Sequence, residues 1–128
     1  MKSLSLRGAL LLAATALSSS TLAAADAANA PRDPSDMTPA ERMAIMQRMN
    51  DYQVCVYKEA MARVDALPDI RQAADEGMSA CQAALDSLQE TIESYRFSPE
   101  FSEQFAHHAQ SRAVKMLLPE LSMRKGGQ

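Results

Sequence analysis

Apolar positions along the chain recur every three or four residues, the spacing that places side chains on one face of an α-helix. No segment shows the alternation of apolar and polar residues that marks a half-buried strand. The first helix start is clear: Thr38 is a suitable N-cap, Pro39 suits the first helical position, and Glu41 completes a capping box. The pattern therefore predicts helix 1 over residues 39–66.

A proline marks the end of helix 1. The residue before Pro68 is disfavoured in helical geometry, so residues 67–69 are predicted to form a turn. Asp69 and Gln72 have the three-residue spacing of a second capping box. They are predicted to begin helix 2, which is expected to reach Tyr95.

A third helix follows a Ser-Pro-Glu sequence at residues 98–100, and Pro119 is expected to end or kink it near Leu118. The expected organisation is a three-helix domain over residues 38–121 with a disordered tail at 122–128. The fold class is therefore all-α: an antiparallel helical hairpin with a third helix packed against it.

Helix 2 carries one continuous apolar stripe with Cys81 near its centre. Its members are Ile70, Ala74, Gly77, Met78, Cys81, Leu85, Leu88, Ile92 and Tyr95. Gly77 lies about one turn before Cys81 and has no Cβ, so we expect a neighbouring helix to approach closely there.

Helix 1 has two faces of different width. The narrow face places Cys55 with Ala44, Ala62 and Ala66. The opposite face, here called the Met-rich arc, carries Met43, Met46, Met49, Val54, Tyr57, Met61 and Val64. We expect helix 2 to pack on the small-residue face, which leaves the Met-rich arc for helix 3 or for a partner. The candidate partner surface is Met43, Met46, Met49, Tyr57, Met61 and Val64.

Helix 3 has a more modest apolar stripe. It consists of Phe101, Phe105, Ala109, Ala113, Met116 and Leu117. Arg112 interrupts this stripe, so the sequence does not fix how helix 3 docks.

The two cysteines are predicted to form a disulfide between helices 1 and 2. The midpoint between Cys55 and Cys81 is residue 68, and Pro68 lies in the predicted turn. In an antiparallel hairpin the two side chains therefore stand at the same height, as a disulfide requires. A redox-active thiol is the alternative, but there is no Cys-x-x-Cys pair and both cysteines lie in the middle of helices.

Residues 1–25 have the order of a secretory signal peptide: a positive start with Lys2 and Arg7, a short apolar core at 8–17, then small residues. The apolar core is about half the length that spans a bilayer. We expect cleavage after Ala25, with Ala27 and Ala30 as alternatives, and a flexible leader at 26–37. No cysteine lies near these sites, so the expected product is periplasmic or secreted, without a membrane anchor.

Charge argues against nucleic acid as a partner. The chain has a net charge of −3, and removal of Lys2 and Arg7 takes it to −5, since all 16 acidic residues follow the cut. About 100 mature residues make one small domain.

Three methionines at a spacing of three, Met43, Met46 and Met49, raise the possibility of Cu(I) binding, because thioethers are soft ligands. Steps of three residues drift by about 60° each around a helix, so the three side chains fan out. Core packing is the competing interpretation, and Met43 with Met46 remains the metal alternative. The side chains of His107 and His108 point about 100° apart around the helix axis, so we expect them on the surface rather than on one metal ion.

Motifs of enzymes are missing from the sequence: there is no Gly-x-Ser-x-Gly, no His-Glu-x-x-His and no glycine-rich phosphate loop. We therefore expect no catalytic activity and no cofactor.

Residues 37–42, Met-Thr-Pro-Ala-Glu-Arg, resemble the Leu-Thr-x-x-Gln-Arg helix start of Spy-like periplasmic chaperones, with Met37 in place of leucine and Glu41 in place of glutamine. That resemblance implies a small helical protein, often dimeric, that shields unfolding envelope proteins on an apolar concave surface. The cysteine-paired hairpin behind a signal peptide also resembles small secreted proteins of proteobacteria.

These observations predict an exported, non-enzymatic interaction module, monomeric or homodimeric, that contacts an unknown protein partner. A Spy-like envelope stress chaperone and a Met-rich Cu(I)-binding protein are the alternatives.

Overall fold

Four α-helices follow one another in the computed structural model, which describes residues 28–127. They are α1 (Pro39–Arg63), α2 (Ile70–Ala80), α3 (Gln82–Ser94) and α4 (Pro99–Gly126), preceded by a short 3-10 turn at Pro34–Asp36. No strand occurs within residues 28–127, so the predicted all-α class is confirmed. The predicted signal peptide lies outside the described residues.

The helices form a bundle of three rods over residues 31–127. Gly77 of α2 faces Ala60, and Cys81, further along the chain, is bonded to the earlier Cys55, so this rod runs antiparallel to α1. The rod continues as α3, and α4 packs against α1, α2 and α3. Within the described part of the chain, no helix combines the length and apolar character needed to cross a membrane.

The start of α1 is the predicted capping box. The Thr38 hydroxyl accepts from the backbone N–H of Glu41 at 3.2 Å, and the Glu41 carboxylate accepts from the backbone N–H of Thr38 at 2.9 Å. Two of the unpaired N–H groups at the helix start are thereby satisfied.

The second predicted helix is divided in two at Cys81. Cys81 leaves helical geometry with φ −104° and ψ 17°, although the backbone N–H groups of Ala84 and Leu85 both donate to its carbonyl. The rod is therefore kinked, at the residue that is covalently tied to α1. At its start, the carboxylate of Asp69 accepts from the N–H of Arg71.

The last helix is longer than the sequence predicts, since α4 runs through Pro119 to Gly126. Proline removes one helical hydrogen bond, but Leu121 beyond it is fully buried. Arg124 forms an ion pair with Asp65 at 2.9 Å, and the Lys125 ammonium donates to the carbonyl of Leu67, both in the connection between α1 and α2. These contacts hold residues 122–126 in a helix where a disordered tail was expected.

The face that α1 buries lies between the two faces predicted for it. Its buried residues are Ile45, Met49, Tyr52, Val56 and Ala60, and the buried C-cap residue Val64 continues this face. Ala62 and Ala66 are exposed, so the prediction that the small-residue face carries helix 2 is wrong. Burial of large apolar side chains stabilises more than burial of alanines, and this face contains Ile45, Tyr52 and Val56.

Gly77 allows the close approach that the sequence predicts. A Cβ at this position would lie 3.0 Å from the Cβ of Ala60 and 3.0 Å from the carbonyl oxygen of Val56. The contact between α1 and α2 is therefore made backbone to backbone.

Part of the expected flexible leader is ordered around Arg32. Its guanidinium donates to the Glu41 carboxylate at 2.7 Å and to the carbonyl of Tyr95 at 3.0 Å. Its backbone N–H donates to the carbonyl of Arg96, and its guanidinium lies 4.9 Å from the centre of the Phe97 ring. Arg32 thus joins the N-terminal segment to α1 and to the loop between α3 and α4.

We expect the stability of the protein to fall as the pH drops from about 4.5 to about 2. The hydrogen bonds from Arg32 and from the Thr38 backbone lower the pKa of Glu41 from 4.5 to about 2. A lowered carboxyl pKa contributes stability above pH 4.5, and this contribution is lost as the proton binds. Urea unfolding at a series of pH values should show this decline.

Glu41→Gln should be less stable than the wild type at pH 7. Its free energy of unfolding should also decrease less than that of the wild type as the pH falls from about 4.5 to about 2. Glu90→Gln, at an exposed position of α3, serves as the control and should keep the wild-type profile. If the free energies of unfolding of Glu41→Gln and the wild type fell in parallel with pH, the acid sensitivity could not be assigned to Glu41.

Candidate functional site

The predicted disulfide is present. Cys55 and Cys81 are joined with a Cα–Cα distance of 5.9 Å. Cys81 is buried and Cys55 is half-buried at the edge of the core. The bond links α1 to the kink between α2 and α3, so its position is that of a disulfide that stabilises the fold.

The structure divides the predicted partner surface into two groups. Met43 is 71% exposed, Met46 and Tyr57 are also exposed, and Met61 is half-buried. Met49 and Val64 belong to the core, since Met49 is only 3% exposed and Val64 is fully buried. Their inclusion in a partner surface is wrong, because both lie on the buried face of α1.

The exposed large apolar side chains are concentrated on two of the four helices. Among the residues described, they are Met43, Met46, Val54 and Tyr57 on α1 and Met116 and Met123 on α4. The kinked rod α2–α3 contributes none of them. The first and last helices therefore carry apolar side chains that the described residues leave uncovered.

A groove of about 290 Å³ lies between these two helices and is here called the α1–α4 groove. It is lined by Asn50, Gln53, Val54, Tyr57, Lys58, Ala113, Met116 and Leu117. Met116 was expected in the core stripe of helix 3, and its 57% exposure shows that it lies beside the core instead.

Each wall of the groove continues as a row of residues at helical spacing, and the two rows together are called the outer seam. On α1 the row is Met43, Met46, Asn50, Val54, Tyr57 and Met61, and on α4 it is Phe101, Phe105, His108, Arg112, Met116 and Met123. At 1.5 Å per residue, the rows extend about 27 Å and about 33 Å. The predicted stripe of helix 3 includes Phe101, Phe105 and Met116 of the α4 row but not His108, Arg112 and Met123, for which this spacing is the only signal.

Aromatic rings extend the α4 row towards the start of the helix. The ring centres of Phe97 and Phe101 lie 5.6 Å apart, those of Phe101 and Phe105 6.0 Å, and those of Phe105 and His108 6.5 Å. Phe101 and Phe105 are half-buried, so these rings join the core to the outer seam.

A few polar and charged groups lie in the groove wall or beside it. Lys58 is the one charged residue among those that line the groove. The side-chain nitrogen of Gln53 is buried and has no acceptor within the described residues. Arg112 is exposed and precedes Met116 by four residues, so it stands on the same face of α4.

Tyr52 is the other buried side chain with an unpaired polar atom among residues 28–127. It is fully buried in the core, and burial raises the pKa of its hydroxyl.

We expect Tyr52→Phe to raise the free energy of unfolding by about 1 kcal/mol, because a buried hydroxyl without a partner is costly. Urea unfolding measures the change. Tyr57→Phe, at an exposed position, should alter it little, and a loss of stability in Tyr52→Phe would show that the hydroxyl has a partner.

Metal-binding side chains do not converge in the described part of the chain. No group of three or more histidine, cysteine or acidic side chains could hold an ion within residues 28–127. His107 and His108 are both exposed. Met43 and Met46 are exposed while Met49 is buried, so at most two of the three spaced thioethers are accessible together.

The geometry thus places one extended apolar surface, the outer seam with its groove, on the described part of α1 and α4. Compared with protein-family models, curated proteins and solved structures, the chain matches none of them.

Proposed function

We propose that this protein is an exported, non-enzymatic interaction module whose α1–α4 groove binds a helical segment of a partner protein. The observation that carries the proposal is the outer seam: two long neighbouring helices expose apolar side chains at helical spacing. Amphipathic helices bind in such two-helix grooves through anchors three and four residues apart. A partner helix would add a fourth rod to the three of the bundle.

The groove supports binding rather than catalysis. Its walls are formed by apolar side chains, two amides, a phenol and one ammonium group. Neither a carboxylate nor an imidazole that could act as a general base is among the residues that line it. Methionine is flexible and polarisable, which suits a surface that adapts to a partner side chain.

Export is supported by the first 25 residues and by the disulfide. Disulfides persist in oxidising compartments such as the periplasm, and the Cys55–Cys81 bond closes the hairpin of this fold. Cleavage after Ala25, Ala27 or Ala30 would retain Arg32 and its contacts with Glu41 and Tyr95. The mature protein would then carry the complete described bundle.

A photo-cross-linking amino acid in the groove tests the proposal. Placed at Tyr57, it should give an adduct in which the partner peptide maps to an amphipathic helix, whereas placed at Glu90 on α3 it should not. Val54→Asp with Met116→Asp should remove the adduct from position 57 and leave the fold intact, since both residues are exposed. Equal adducts from positions 57 and 90 would overturn the proposal.

A stress chaperone is a second candidate, favoured by the exposed methionines of the outer seam. It would suppress aggregation of an unfolding client at near-stoichiometric ratio, whereas a module with one specific partner would not. Met46→Asp with Met61→Asp should abolish such suppression.

Cu(I) binding is a third candidate, favoured by the exposure of both Met43 and Met46. Binding that is unaffected by Met43→Ala with Met46→Ala would exclude it.

A further inference from the structure

We infer that the helix bound in the α1–α4 groove is acidic, with an apolar stripe flanked by aspartate or glutamate. This inference rests on the proposed function and specifies the chemistry of the partner. The cations Lys58 and Arg112 at the groove and on the α4 row favour such a partner.

The groove and the outer seam together have a charge opposite to that of the chain. The chain carries 16 acidic and 13 basic residues, yet no acidic residue belongs to the outer seam or lines the groove. Lys58 stands on the α1 wall and Arg112 on the α4 row. Neither forms an ion pair within residues 28–127, whereas Arg32, Arg48, Arg63 and Arg124 all do.

Hydrogen bonding to Lys58 favours the same partner. The Lys58 ammonium is a donor in the groove wall. A carboxylate on the bound helix can accept from this ammonium, since it offers two acceptor oxygens.

A second copy of this chain fits the groove poorly. In a two-fold dimer the same patch is used by both copies, so Lys58 and Arg112 of both copies would enter one interface. Like charges brought together across an interface oppose association. An anionic membrane is also a weaker match, because surfaces that bind it cluster roughly four to eight cations, whereas the groove and the outer seam together carry two, Lys58 and Arg112.

The length of the outer seam sets the size of the bound segment. The α1 row extends about 27 Å, which corresponds to about 18 helical residues. Apolar anchors at every third or fourth position would contact Val54, Tyr57 and Met116. Acidic residues beside this stripe would face Lys58 on one side and Arg112 on the other.

Two designed peptides of 21 residues test the inference. Both have the same leucine stripe, and the flanking positions are glutamate in one peptide and lysine in the other. Fluorescence anisotropy at low ionic strength should show at least tenfold tighter binding of the glutamate peptide. This ratio should shrink as salt is added, because exposed charges are screened.

Charge reversal supplies the matched control. Lys58→Glu with Arg112→Glu should reverse the preference, so that the lysine peptide binds more tightly. Arg71→Glu with Lys115→Glu changes the net charge equally at exposed positions that border other hollows, and it should leave the preference unchanged.

The outcomes separate the inference from the proposed function. Equal affinity for the two peptides, lost in Val54→Asp with Met116→Asp, would overturn the acidic partner and keep the helix-binding groove. Absence of binding by both peptides would overturn the groove as a helix receptor. Binding to phosphatidylglycerol vesicles that depends on Lys58 and Arg112, without a peptide preference, would replace the acidic helix by a lipid surface.

Discussion

Replacing both Cys55 and Cys81 by alanine is expected to lower the free energy of unfolding by about 3.5 kcal/mol. The disulfide closes a loop with a sequence separation of 26 residues, and its removal lets the unfolded chain regain the entropy of the open loop. A domain of this size has only about 5–15 kcal/mol of stability. Thermal unfolding should therefore show a midpoint roughly 15–25 °C lower.

The wild-type protein in a reducing agent provides the control for this prediction. Once reduced, it should unfold close to the midpoint of the alanine variant, which should itself be insensitive to the reductant. A change below about 1 kcal/mol would mean that the unfolded chain is held compact without the bond. The α1–α2 contact would then depend mainly on packing at Gly77.

Gly77→Val is expected to destabilise the protein by about 3 kcal/mol, the upper end of the usual range for overpacking. Replacing a helical glycine normally helps, because glycine has a low helix propensity. Here a Cβ would lie 3.0 Å from the carbonyl oxygen of Val56 and 3.0 Å from the Cβ of Ala60. Backbone atoms cannot rotate away as a flexible side chain can, so α1 and α2 must separate.

Gly126→Val is the matched control for this prediction. It makes the same substitution in α4, where a Cβ would meet nothing within 4 Å. Urea unfolding of both variants should show a large loss for residue 77 and a change within about 0.5 kcal/mol for residue 126. Equal effects at the two positions would show that the contact with Val56 and Ala60 does not limit stability.

The starts of α1, α2 and α4 and the disulfide could be predicted because their signals are local. The capping box of Thr38 and Glu41 involves four consecutive residues, and the pairing of cysteines required only the position of Pro68 between them. The end of α4 could not be predicted in this way. Burial of Leu121 and the contacts of Arg124 and Lys125 with the connection between α1 and α2 offset the cost of Pro119, and these are contacts between distant parts of the chain.

The buried face of α1 was predicted incorrectly because two apolar rows lie side by side on this helix. Periodicity identifies both rows but does not say which one the rest of the chain covers. Cys55 suggested that the face around it is the interface, yet a disulfide joins Cα atoms 5.9 Å apart and can reach from the edge of the core. The outer seam was missed on α4 for a related reason, since Arg112 and His108 interrupt its apolar residues.

The unequal exposure of the methionines makes them sensitive to oxidation to different degrees. Met43, Met116 and Met123 are open to solvent, whereas Met49 is buried in the core. A peroxide would convert the exposed thioethers to sulfoxides first, and a sulfoxide is polar. Oxidants that leave the bundle folded would therefore make the α1–α4 groove more hydrophilic, and in the proposed complex they would weaken the binding of the partner's apolar stripe.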